Sequence, residues 1–100
     1  MNESEAPLSD ETHEATFTIV NDLGLHARAA TKLVQLASRF PCEVSVAHHG
    51  QVANAKSVMG VLLLCGSKGT HIDVKATGAR ADECVKAIGQ LIADRFGEAS

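Results

Sequence analysis

Two hydrophobic periods take turns along most of this chain. In Thr16-Phe17-Thr18-Ile19-Val20, Phe17 and Ile19 point one way and the threonines the other, the pattern of a strand buried on one face. After a loop at Asn21 to Gly24 the period becomes helical. From Ala27 to Arg39, Ala30, Leu33, Val34 and Ala37 make an inward stripe while Lys32, Gln35 and Arg39 face water; Pro41 ends the helix. Glu43 to Ala47 alternates again, His48-His49-Gly50 supplies a turn, and Val52 lies in a short return strand. Ser57 opens a short apolar helix to about Leu64, and Gly66 to Gly69 form a loop. His71 to Thr77 has the clearest strand pattern, with Ile72, Val74 and Ala76 inward. Gly78 turns the chain into a last helix over Arg80 to Phe96, with Cys84, Ile88, Leu91 and Ile92 on one face. Gly89 within it costs about 1 kcal/mol against alanine, a cost tolerable if another element packs closely there.

The order βαββαβα predicts an α+β fold. Its expected form is an open-faced two-layer sandwich, a four-stranded antiparallel sheet with three helices on one face. Residues 1–14 hold four glutamates, one aspartate and a proline, and little to bury. They read as a disordered acidic lead, leaving a single domain over residues 15–100.

Composition narrows the function. A formal charge of −3, with nine scattered Lys and Arg and three aromatics that are all Phe, lacks the basic stripe and stacking platform of a nucleic-acid binder. A chain this small buries only about two-thirds of its unfolded surface, which leaves little room for a deep cavity and places chemistry at the surface. Cys42, Cys65 and Cys84 are too far apart for a redox pair or a zinc knuckle and read as reduced, mostly buried thiols. The longest apolar run, Val61 to Cys65, is too short for a membrane span, and the polar N-terminus is no secretory signal. A cytoplasmic location is expected, with no membrane insertion, no nucleic acid and no cofactor.

The chemistry concentrates in Gly24-Leu25-His26-Ala27-Arg28-Ala29-Ala30. His26 falls where loop gives way to helix, at or near the N-cap. The first-turn N–H groups there, those of Ala27 and Arg28 among them, have no intrahelical partners and together with the helix dipole form an anion site. An imidazole so placed presents a ring nitrogen as a nucleophile near neutral pH. The Arg28 guanidinium offers a planar fork for phosphate oxygens. Phosphoryl transfer, mainly positioning and charge neutralisation, needs nothing more. The alternative is that His26 merely caps the helix and Arg28 is a solvated charge.

A second stretch is Asn54-Ala55-Lys56-Ser57-Val58-Met59-Gly60-Val61. Ser57 is a natural N-cap, and helix starts tolerate a phosphate; a capping serine without further role is the alternative. The helix behind it is too apolar all round. If Val61 and Leu64 point inward, then Val58, Met59, Leu62 and Leu63 cannot all follow, which leaves either a docking patch or a face covered by another element. His48 and His49 look metal-like but should diverge and lack a third ligand, so no metal is expected. His13 lies in the lead and His71 points outward.

Both stretches, in this order and on these elements, resemble the phosphorylation and regulatory-serine motifs of the histidine-containing phosphocarrier (HPr) family of the bacterial phosphoenolpyruvate-dependent phosphotransferase system. The resemblance spans about residues 15–96. It implies that His26 accepts phosphate from enzyme I on Nδ1 and passes it to a IIA component, with Arg28 attending the phosphate. It implies that Ser57 is a regulatory site for a dedicated HPr kinase/phosphorylase, and that docking surrounds the histidine and uses the middle helix. The expected protein is a monomeric carrier that completes no turnover alone, so that calling it an enzyme is convention. One departure is Ala29, where the family commonly has proline. Leu23 and Leu62-Leu63-Leu64 are similar to the nitrogen-related branch, whose output is regulation rather than sugar uptake. A non-catalytic interaction module is the reading from another class.

Overall fold

The computed structural model describes residues 11–100. Four strands, β1 (Thr12–Thr18), β2 (Glu43–His48), β3 (Gln51–Asn54) and β4 (His71–Thr77), alternate with helices α1 (Ala27–Ala37), α2 (Val58–Leu63) and α3 (Ala81–Ala93) in the order βαββαβα. A single 3₁₀ turn, Arg95–Gly97, follows α3. The strands form one antiparallel sheet in the order β1-β4-β2-β3, so the hairpin β2–β3 is joined to the edge strand β1 only through β4.

The inward residues of this sheet, Val44, Val46, Ile72, Val74 and Ala76, meet the stripes of α1 (Ala30, Leu33, Val34, Ala37) and α3 (Cys84, Val85, Ile88, Ile92) in one buried cluster. The other sheet face carries the polar half of each strand: Thr12, Glu14, Thr16 and Thr18 of β1 stand opposite Thr77, Lys75, Asp73 and His71 of β4. Period-two alternation over a one-sided core makes an open-faced sandwich. Gly89 sits in α3 because a β-carbon there would lie 2.4 Å from Cε1 of Phe17; the helix crosses the first strand that closely.

Several expectations need correction. The lead was expected to run to Glu14, but Thr12, His13 and Glu14 pair with Thr77, Ala76 and Lys75, so β1 extends through them. A seven-residue partner strand satisfies backbone groups whatever the acidity of the segment. The rest of the expected lead, residues 1–10, lies outside the described residues. His13 is half-buried on this strand and lies 3.1 Å from Glu11. His48 and His49 do not diverge: their rings stack 4.0 Å apart at 13°, because His49 adopts a left-handed φ of 48° at the hairpin tip, and His48 is buried. Cys42 and Cys84 are buried but Cys65 is exposed, just past the end of α2. The last helix stops at Ala93, where Arg95 and Phe96 take φ values of 58° and 54° and swing the chain back. Among the described residues no helix is long and apolar enough to cross a membrane.

Candidate functional site

Loop and helix meet at His26. Gly24 makes this junction with φ +66°; a β-carbon there would lie 2.4 Å from the Gly66 carbonyl oxygen, which accepts the Leu25 N–H at 2.8 Å. The loop is thereby pinned against the segment after α2, and Leu25 is buried beneath it. His26 follows as the N-cap of α1 in extended conformation (φ −76°, ψ 179°), with its carbonyl accepting the Ala30 N–H at 2.8 Å. Its Nδ1 accepts the backbone N–H of Arg28 at 3.3 Å. The ring is thus aimed along the helix start, with its side chain 27 % exposed.

The other ring nitrogen, Nε2, pairs with the Glu98 carboxylate. Asn21, fully buried, donates from Nδ2 to the Gly24 carbonyl at 2.9 Å and to Glu98 Oε1 at 3.0 Å. Hydrogen bonds from His26 and Asn21 hold the Glu98 carboxyl below its ordinary pKa. Lys32 does not simply face water, as its place on α1 suggested: Nζ donates to the Phe96 carbonyl at 2.6 Å. The Asp22 N–H reaches Ser100 O at 3.2 Å. A shallow depression of about 720 Å³ results, lined by Leu23, His26, Arg28, Lys32, Glu98 and Ser100 among others. Arg28 is exposed at its mouth, with no partner for its guanidinium among the described residues. The arrangement offers a nucleophilic nitrogen over helix-start amides and two nearby cations, which suits an anionic group arriving from solvent.

Residues 13–94 match the family described as PTS HPr component phosphorylation site. The chain belongs to the HPr family of the phosphotransferase system. Phosphocarrier protein HPr of Pseudomonas aeruginosa is 44 % identical, the match covering 82 % of this chain and 92 % of that one. Phosphocarrier protein NPr of Shewanella violacea is 45 % identical over 87 % of this chain and 96 % of its own. Among solved structures, HPr-C-His from Thermoanaerobacter tengcongensis superposes with a TM-score of 0.84 at 40 % identity, covering 88 % of this chain and 99 % of that one. The HPr match contains His26, Arg28 and Ser57 and ends before Glu98.

Within this HPr fold, Ser57 is the N-cap of α2 (φ −118°, ψ 113°), and its Oγ accepts the Gly60 N–H at 3.1 Å. Behind it Val61 and Leu64 point into the core, while Met59 and Leu63 are each 67 % exposed and Val58 stands at the margin. Leu62, named with Val58 and Met59 as a docking residue, is instead half-buried against the core; Leu63 takes the outer place. The rotation of so short a helix is set by its packing on α1, which periodicity over one and a half turns cannot register. Leu23, on the loop before His26, is 70 % exposed. Sequence reasoning missed Asn21 and Glu98 altogether. No local pattern marks a glutamate in the tail as the partner of a histidine 72 positions earlier.

Proposed function

We propose that this HPr-family chain is a phosphocarrier that accepts a phosphoryl group on Nδ1 of His26 from phospho-enzyme I and passes it to a IIA component. The observation that carries this reading is Nδ1 of a partly exposed ring, facing the N–H of Arg28 at the start of α1. The Nδ1 lone pair forms the new N–P bond as the bond to the donor's ring nitrogen breaks, and that electron pair returns to the donor. Phosphoryl oxygens then lie over the amides of Ala27 and Arg28, and the free guanidinium of Arg28 offsets their charge. Docking uses the exposed apolar residues Leu23, in the depression with His26, and Val58, Met59 and Leu63 of α2. Ser57 is a regulatory phosphorylation site for an HPr kinase/phosphorylase, since a phosphate there would bring negative charge into the apolar docking surface. The carrier works as a monomer in the cytoplasm, and its output is sugar uptake.

Incubation with phosphoenolpyruvate and enzyme I tests the proposal. An acid-labile, alkali-stable phosphate that disappears in His26→Ala supports it. No labelling leaves an interaction module in which His26 and Ser57 are only helix caps. A nitrogen-related regulatory role is the second reading, favoured by the NPr relative at 45 % identity. Parallel assays with sugar-type and nitrogen-type enzyme I separate the two, the faster donor deciding between them. Sedimentation of the purified protein decides the oligomeric state.

A further inference from the structure

Glu98 lies past the stretch that matches the family, yet it holds the second nitrogen of the imidazole. We propose that Glu98 is a positioning residue for phosphoryl transfer, fixing His26 in the tautomer with its proton on Nε2 and its lone pair on Nδ1, and that the C-terminal segment from Phe96 to Ser100 is the strap that delivers it. The proposal rests on His26 being the acceptor.

A neutral imidazole has one N–H and one lone pair, and either nitrogen can carry the proton. A carboxylate only accepts. Pairing Nε2 with Glu98 therefore puts the proton on Nε2, and Nδ1 is left to accept the Arg28 N–H, as its position requires. The nucleophilic electron pair then points at the amides where a phosphoryl group would be cradled. When Nδ1 attacks, no proton has to leave it first. The positive charge that builds on the ring is shared through Nε2–H with Glu98, and the donor keeps the electrons of the N–P bond that breaks. A carboxylate behind a reacting imidazole does the same work in serine proteases, where its loss leaves the wrong tautomer.

The strap is built to keep the carboxylate in place. Phe96, in the left-handed region at φ 54°, is fully buried and plugs the end of the core. Its carbonyl takes the Lys32 ammonium at 2.6 Å, and Ser100 O takes the Asp22 N–H at 3.2 Å. Between these two tethers Glu98 spans His26 and Asn21, one oxygen to each. Asn21 in turn grips the Gly24 carbonyl, so the strap and the histidine loop form one hydrogen-bonded unit. The groups that favour the ionised form of Glu98 are its hydrogen-bond partners His26 and Asn21, with the Lys32 ammonium nearby.

The experiment compares the full chain with Glu98→Ala, Glu98→Gln and Glu98→Asp by nitrogen-15 spectroscopy of the His26 ring in alkaline solution and by the rate of phosphoryl transfer from phospho-enzyme I. Wild type should show Nε2–H alone, and Glu98→Ala a measurable share of Nδ1–H, because the long 3.3 Å contact from the Arg28 N–H is then what remains to hold the tautomer. Transfer to Glu98→Ala should slow on the order of tenfold, the size seen when a metal-bound imidazole loses such a carboxylate partner. The final yield of one phosphate per chain should be kept. Glu98→Asp should recover part of the rate, and Glu98→Gln should keep the tautomer but lose rate with the charge. Wild-type tautomer populations in Glu98→Ala would overturn the proposal, whatever its rate. If wild type itself takes no phosphate, the carrier reading fails instead, and the tautomer measurement still reports on Glu98.

Discussion

The ring of Phe17 occupies the space into which a β-carbon at position 89 would project, 2.4 Å from its Cε1 and 2.6 Å from its Cζ. Strand β1 is an edge strand, and this contact is where α3 holds it to the core. Gly89→Ala gains about 1 kcal/mol of helix propensity but overpacks the site at a cost of about 1–3 kcal/mol. A net loss of stability is expected in thermal or denaturant melts. Adding Phe17→Leu, which shortens the obstructing group, should return part of it. A more stable Gly89→Ala would mean that β1 moves away easily.

Ala29 is the third residue of α1, where the N–H has no carbonyl partner within the helix. Ala29→Pro therefore forfeits no helical hydrogen bond, and a compatible proline is expected to raise stability by about 0.4–1 kcal/mol. It also deletes one amide donor beside the proposed phosphate. The lifetime of phospho-His26 should shorten, as followed by loss of label over time. An unchanged lifetime would remove the Ala29 amide from the phosphate site.

Glu98 gives the protein a pH-dependent anchor. Its carboxyl is held below the ordinary 4.5 by hydrogen bonds from His26 and Asn21. A depressed carboxylate contributes stability that is fully present above its unfolded pKa and is lost as pH falls through the folded value. The difference in melting temperature between wild type and Glu98→Gln should thus be present above pH 4.5 and shrink as the solution is made more acidic. Asp22, lowered by Lys68 at 2.7 Å, titrates in the same direction in both proteins and cancels from the difference. A difference that grows in acid would contradict the assignment.

The three thiols should react in a fixed order. Burial, and Cys42 beside it, push the Cys84 thiol up to about 12, so almost no thiolate forms there. Cys65 is exposed. Alkylation of the native protein, read by peptide mass spectrometry, should modify Cys65 first and reach Cys42 and Cys84 only as the chain unfolds. Early labelling of Cys84 would show that the start of α3 opens locally.

Much of this protein was legible before folding, because the features concerned are local. The βαββαβα order follows from changes of hydrophobic period, and the buried stripe of α1 is the one read from Ala30, Leu33, Val34 and Ala37. His26 and Ser57 fall at helix starts because each precedes an apolar periodic run, and both serve as side-chain caps. What tertiary structure decided is where distant pieces meet. The pairing of Thr12 to Glu14 depends on β4 offering a free edge. The outward place of Leu63 over Leu62 depends on how α2 rolls against α1. The partnership of Glu98 with His26 depends on two left-handed residues after α3 and a phenylalanine that locks the turn. Each is a contact between residues far apart in the chain, stabilised by burial that no sequence window contains, so the sequence by itself placed the histidine and only the fold supplied the carboxylate behind it.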